Sequence, residues 1–279
     1  MASQNQARLL TTRPIDRSAP EEERDPPRER IETAHLRQYP DFIIIGTQRG
    51  GTTSLYRYLT AHPEIGQASR KEVHFFDRYF DKGIDWYLAH FPLRGEFPVV
   101  GEASPYYLFH PEAPPRILAA VPQAKFVVLL RNPVDRAYSQ YHMKVERQLE
   151  ELSFEEAIER EPERLAASDD PLDPAWRHHS YLARGIYFEQ IRRWFDYFPR
   201  DRFLIIKSED FYAEPLPILH QTQSFLGVQP HSPATLKVHH QADYGAMDSF
   251  MRRRLTDYFA PYNRQLYDLL GQDFGWEHD

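Results

Sequence analysis

At 279 residues, 41% of them hydrophobic and 14% aromatic, the chain carries enough apolar side chain for one large core, which excludes wholesale disorder. Its formal net charge of -7 excludes a protein whose whole surface grips nucleic acid or another polyanion, while leaving room for a local basic patch. With no cysteine, disulfides, thiolate metal sites and cysteine nucleophiles are excluded as well.

Residues 1–38 mix both charge signs with scattered prolines, Pro26-Pro27 among them, and show no hydrophobic period. They predict a flexible leader or a loosely docked arm ahead of a domain spanning residues 39–279. Neither the first forty residues nor any later segment holds an apolar run long enough for a signal-peptide core or a membrane span. A soluble protein placed in the cytoplasm is the expectation.

From Asp41 the texture changes. Phe42-Ile43-Ile44-Ile45 followed at once by a Gly/Thr-rich turn reads as a buried parallel strand ending in a functional loop. Leu55, Tyr58 and Leu59 at helical spacing, closed by His62-Pro63, predict a helix from Thr53 to Ala61. Further strands are expected at Val99–Glu102, Lys125–Leu130 and Arg202–Lys207. Pro133 suits a first helical turn, so a helix follows from Val134 to about Leu149. An amphipathic helix through Ile191, Trp194 and Phe195 precedes the last strand, and the polar, proline-broken stretch Glu161–His179 reads as a loop. Strands alternating with helices predict a single α/β domain with a P-loop-type, mainly parallel sheet flanked by helices.

Gly46-Thr47-Gln48-Arg49-Gly50-Gly51-Thr52-Thr53-Ser54 has the order strand, glycines, cation, hydroxyls, helix. Glycines let successive amide N–H groups turn inward, the helix N-terminus adds positive potential, and the hydroxyls add donors: this is a cradle for phosphate. The nucleoside-triphosphatase loop needs lysine where this chain has Thr52, and the cation stands inside the loop as Arg49 instead. A second candidate is Arg131-Asn132-Pro133-Val134-Asp135-Arg136-Ala137-Tyr138-Ser139, which starts where a strand ends, the place where open α/β sheets meet their ligands.

The two segments together resemble the PAPS-dependent sulfotransferases, where PAPS is 3′-phosphoadenosine 5′-phosphosulfate, and within them the heparan-sulfate-type and related bacterial branch. The cradle looks like that family's 5′-phosphosulfate loop, with Arg49 in place of the heparan-type lysine. The resemblance implies that Arg49, Gly50, Gly51, Thr52, Thr53 and Ser54 hold the phosphosulfate end. Arg131 to Ser139 is similar to the family's R-[DN]-P-x-x-R-x-x-S signature, which implies that Arg131 and Ser139 bind the 3′-phosphate. Arg136 is expected as a helix-surface charge.

Lys71-Glu72-Val73-His74-Phe75-Phe76-Asp77, with Lys82-Gly83-Ile84-Asp85-Trp86-Tyr87 after it, resembles the segment around the heparan-type catalytic glutamate. The resemblance makes Glu72 the general base that takes the proton of the attacking hydroxyl. His74 either orients the acceptor or shares that proton, or else is a half-buried histidine satisfied by hydrogen bonds. Arg49 is expected to assist at the leaving oxygen. Ala103 stands where heparan-type enzymes have a lysine, which turns the expectation from heparan toward a small-molecule, glycan or lipid-like acceptor, sulfated on a hydroxyl in preference to an amine. Arg184-Gly185-Ile186-Tyr187 reads as packing, Arg252-Arg253-Arg254 as a solvated face, and His239 to Met247 replaces the family's loop over the donor. No metal is expected to take part, and the partners are PAPS (leaving PAP) and the acceptor, with no nucleic acid. The rivals are a P-loop kinase using ATP and a nucleotide-binding protein without catalysis.

Overall fold

The computed structural model describes residues 25–233, 236 and 244–277. Five strands form one sheet in the order β2-β3-β1-β4-β5: β1 (Phe42–Gly46), β2 (Ile65–Gln67), β3 (Val99–Ala103), β4 (Lys125–Leu130) and β5 (Phe203–Lys207). Every pairing is parallel, with Phe42 level with Gly101 on one side and with Lys125 on the other. β1 is central and buried on both faces, which is why its sequence is a continuous apolar run and not an alternating one. Ile43 and Ile45 join one core with Phe126, Val128, Trp194 and Trp276. Phe42 and Ile44 join the other with Leu55, Leu59, Val127, Leu129 and Leu219. The three-residue β2 was not expected, being too short to show a period.

Helices cover both faces, as the alternating pattern predicts. After α1 (Arg28–Glu32) come α2 (Thr52–Leu59), α3 (Ile84–Leu88), α4 (Ala113–Ala120) and α5 (Pro133–Glu146). α5 starts where Asn132 caps it, its side chain accepting from the N–H of Val134 at 3.0 Å, with Pro133 in the first turn. It stops at Glu146, one turn short of the expected Leu149. Between it and α9 (Tyr187–Phe195) comes α6 (Phe154–Glu159), and the expected loop at 161–179 instead contains α7 (Glu161–Ala166) and α8 (Pro174–His179). The reason is a buried carboxylate. Glu161 accepts the N–H groups of Leu182 at 2.7 Å and Ala183 at 2.8 Å, folding a polar stretch onto the domain by bonds that hydropathy does not register. The chain closes with α10 (Ser208–Ala213), α11 (Pro215–Leu226) and α12 (Ser249–Leu270).

Residues 1–24 of the expected leader lie outside the described residues. The rest of it is tied to the domain: Arg30 Nε donates to Ala89 O at 2.6 Å, Arg37 Nη1 to Phe91 O at 2.8 Å, and Asp25 meets Lys82 Nζ at 2.8 Å. In the basic triplet, Arg252 pairs with Asp135 at 2.5 Å and Arg254 with Glu159 at 3.2 Å. Phe126 is the aromatic hub of one face, with the rings of Phe198, Phe203 and Trp194 at 4.6, 5.0 and 5.1 Å. Phe126→Ala should cost about 3–5 kcal/mol, read as a fall in the denaturant midpoint with unchanged slope.

Candidate active site

The strand order lays the site out in space. Loops leaving the carboxyl ends of β3, β1, β4 and β5 stand side by side and carry, in that order, Pro105, the cradle, Arg131 and the Phe211-Tyr212 pair. They enclose one cavity of about 850 Å³, lined by Glu72, Arg49, Thr52, Arg131, Ser139 and Tyr212 among others.

At the end of β1, Thr47 is clipped to the neighbouring strand: its N–H and its hydroxyl both donate to Leu129 O, at 2.9 and 2.8 Å. Gly50 then passes so close that a Cβ would lie 2.6 Å from Thr47 Oγ1 and 2.8 Å from Leu129 O, so only glycine fits. Gly51 caps α2 at φ 94°, a left-handed conformation that costs glycine nothing. The helix therefore begins at Thr52 and directs its positive end toward the cavity that Thr52, Thr53 and Ser54 line.

Arg49 and Ser139, ninety residues apart in sequence, meet here: Arg49 Nε donates to Ser139 Oγ at 2.9 Å. Arg49 O accepts from Arg131 Nη1 at 3.2 Å and from Tyr212 OH at 3.3 Å, and the Arg131 guanidinium lies 5.9 Å from the centre of the Tyr212 ring. The two segments that the sequence offers as candidate phosphate sites thus meet in one cationic wall. Arg136 belongs to none of it. Expected on the helix surface, it is fully buried, donating to Gln140 Oε1 at 2.6 Å and to Tyr181 O, and burial lowers its guanidinium to about 10.

On the β3 side the N–H of Glu72 donates to Ala103 O at 3.0 Å, so the loop after β2 is hung from the end of the next strand. Glu72 and His74 both have left-handed backbone, φ 62° and 56°, and Arg49 has φ 71°. Such conformations cost non-glycine residues free energy and persist where the surroundings impose them. Glu72 Oε1 receives Lys71 Nζ at 2.8 Å, and Oε2 lies 3.3 Å from His74 Nε2. His74 Nδ1 is held in turn by Asp77 Oδ2 at 2.8 Å. Burial opposes ionisation of Glu72, yet the charge of Lys71 and the hydrogen bond from His74 outweigh it and hold the carboxyl well below its usual range. Burial likewise disfavours the imidazolium, but the Asp77 and Glu72 carboxylates override it and lift His74 to about 9. The arrangement is an alternating row of charges, cation–anion–cation–anion, in which Glu72, the second member, is the carboxylate that lines the cavity and Asp77, the last, is buried.

Several residues that line or support the site carry no local signal in the sequence. Asp77 was quoted in its segment without a role, because its partnership with His74 depends on a non-helical turn. Gln48 accepts from Arg184 Nη1 at 2.8 Å, so the 184–187 patch serves the cradle besides packing. Tyr187 OH supports Arg131 O at 2.8 Å. Met143, Glu146 and Arg147 reach the cavity from the far end of α5, and Tyr244 from the chain before α12; residues 239–243 of that replaced loop lie outside the described residues. The Lys71 side chain is buried against Glu72. Ala103, taken as facing the acceptor, is instead wholly buried in the core beside Leu55 and Tyr56; Pro105 takes the place at the cavity.

Residues 39–261 match the family described as the sulfotransferase domain. The human heparan sulfate glucosamine 3-O-sulfotransferase 6 is 30% identical over 269 residues, 86% of this chain and 74% of that protein. This chain belongs to the sulfotransferase family. Like its family it transfers sulfuryl groups and is an enzyme. The solved sulfotransferase of Alicyclobacillus acidocaldarius has the same fold at 32% identity and a TM-score of 0.71, covering 87% of this chain and all of its own. A membrane-associated sulfotransferase of Dictyostelium discoideum, kil1, is 28% identical over 86% of this chain and 67% of its own length. These relatives overturn the cytoplasmic placement expected from the missing apolar runs, since a protein akin to a membrane-associated one need not be read as cytoplasmic. Among the described residues no helix of this sulfotransferase is long and apolar enough to cross a membrane.

The raised His74 carries a signed prediction. Because its folded value, about 9, exceeds the ordinary 6.5, its contribution to stability is complete below pH 6.5 and disappears as pH rises through 9. Asp77→Asn should bring the imidazole midpoint seen by NMR back down toward 6.5 and flatten the loss of stability over that interval.

Proposed function

We propose that the sulfuryl donor is PAPS and that the acceptor is a hydroxyl, in preference to an amine, on a small molecule, a glycan or a lipid-like compound. The observation that carries the donor assignment is the Arg49–Ser139 hydrogen bond of 2.9 Å, which joins two separately encoded anion-binding segments in one cavity. A nucleotide with a phosphate at each end of its ribose suits such a wall, whereas a triphosphate offers a single polyphosphate chain to one loop. The β5 side adds a fit for the base: Tyr58, Phe211, Tyr212, Pro215 and Leu236 give an apolar, aromatic end to the cavity, of the kind on which purines stack. The kinase reading finds no support beside the family match and Thr52.

In this reading Arg131 and Ser139 hold the 3′-phosphate, and Gly50, Gly51, Thr52, Thr53 and Ser54 hold the phosphosulfate end with amide and hydroxyl donors. Glu72 accepts the proton of the acceptor hydroxyl as its oxygen bonds to sulfur, while the bond from sulfur to the 5′-phosphate oxygen breaks and leaves its electron pair on that oxygen. Arg49 and the helix N-terminus stabilise this growing charge. His74, as imidazolium between Glu72 and Asp77, orients the base and guarantees its carboxylate form, at some cost in proton-transfer driving force. The acceptor would enter beside Glu72, past Pro105, Met143, Glu146 and Arg147.

Two experiments test this reading. PAP should raise the melting temperature far more than ATP does, and Ser139→Ala and Arg131→Ala should each weaken PAP binding. Labelled sulfate should pass from PAPS to members of an acceptor panel, and Glu72→Gln should lower kcat by about 10²–10⁴ with PAP affinity unchanged. Full activity in Glu72→Gln would remove it as the base, and no transfer to any acceptor would leave a binding protein.

A further inference from the structure

Beneath the loop that carries Glu72 and His74 lies a carboxylate that the reaction scheme leaves unused. Glu102, on β3, is wholly buried. Its Oε1 accepts from the hydroxyls of Tyr87 at 2.8 Å and Tyr107 at 3.2 Å, and its Oε2 accepts from Ser104 Oγ at 2.7 Å. Two of these hydroxyls continue into the loop above. Ser104 Oγ accepts the N–H of His74 at 3.2 Å, and Tyr107 OH accepts the N–H of Phe75 at 2.8 Å. The loop they hold is the one with left-handed backbone at Glu72 and His74.

The protons of this network decide what Glu102 does. A hydroxyl has one proton to donate and lone pairs to accept with. Once Ser104 and Tyr107 each accept an amide N–H, their own protons need an acceptor below, and so does that of Tyr87. Burial pushes the Glu102 carboxyl up, while the hydroxyls of Ser104, Tyr87 and Tyr107 favour its ionised form; in that form it only accepts, drawing all three protons toward itself and leaving the lone pairs of Ser104 and Tyr107 facing the loop. An amide of the same shape would have to donate from its NH2, turning at least one hydroxyl proton outward against the N–H groups it should receive. Buried polar networks of this kind are unforgiving, because a half-satisfied one is worse than none.

We infer that Glu102 is a positioning residue: through Ser104 and Tyr107 it holds the backbone of residues 72–75 in the conformation from which Glu72 and His74 act. The inference rests on the reading of Glu72 as base, but its structural half is measurable without turnover. In Glu102→Gln, amide hydrogen exchange at His74 and Phe75 should quicken by about tenfold or more while PAP affinity stays unchanged. The kcat for sulfuryl transfer should fall by about tenfold or more, as expected when a reacting group loses its alignment. In a Glu72→Gln background the same change should cost nothing further, since Glu102 works through that residue. Unaltered exchange, wild-type kcat, or an equal second loss in the Glu72→Gln background would each overturn it. Should Glu102→Gln fail to fold, Ser104→Ala must quicken exchange at His74, and Tyr107→Phe at Phe75, each with a lower kcat. Wild-type exchange and kcat in both would dispose of the idea. If Glu72→Gln itself keeps full activity, the base assignment falls, and exchange at His74 and Phe75 still decides whether Glu102 holds the loop.

Discussion

The pairing of β1 with β4 is the constraint on which the site depends. Parallel strands place their carboxyl ends at one edge of the sheet, and the first hydrogen bonds beyond β1 are those of Thr47 to Leu129 O, on β4. That clip forces the chain to turn at once. Gly50 must pass within van der Waals range of Leu129, Gly51 must take positive φ, and α2 must begin at Thr52. The same neighbouring strand delivers Arg131, and α5 leaves from it to bring Ser139 onto Arg49. A shift of β4 to another place in the sheet would keep every residue of both segments and lose the site.

Electrostatics divides the cavity in two. A chain with net charge -7 gathers Arg49, Arg131 and a helix N-terminus on one wall, where among the described residues neither arginine forms an ion pair and Asp135 acts on Arg131 only through its charge. The opposite wall balances itself. Lys71, Glu72, His74 and Asp77 alternate in sign, so Glu72 remains ionised although the surroundings oppose it. Removing one member of such a row leaves its neighbour with a charge and no partner, which costs more than the pair contributes. A wall of arginines without an ion-paired carboxylate suits an anion, and the opposite wall keeps a carboxylate ionised.

The acceptor side departs from what the heparan-type resemblance suggested. The position that the resemblance turned toward the acceptor, Ala103, is a core residue under α2, and its carbonyl, not its side chain, serves the site by fixing the N–H of Glu72. The cavity there is lined instead by Pro105, by Met143 and Glu146 in the last turn of α5 and by Arg147 after it. That turn is encoded about 70 residues beyond Glu72, and nothing in its local sequence distinguishes it from any other helix end.

What the sequence by itself determined is what local chemistry dictates. The apolar run before the glycines, the helix behind them and the arginine at the end of another apolar run specify buried strands and two cationic, donor-rich turns, because backbone curl, helix polarity and charge are properties of a few adjacent residues. Glu72 and His74 were legible by resemblance. Only the tertiary structure decided which polar residues face ligand and which face the core. Arg136 and Ser139 share one helix, three residues apart, and the fold buries the first against Tyr181 while giving the second to Arg49. Asp77 behind His74, Tyr212 beside Arg131, the helices of 161–179 and Glu102 beneath the loop all depend on partners tens of residues away or on turns without a period. No pattern along the chain records those distances; they arise when the sheet order brings the strand ends together.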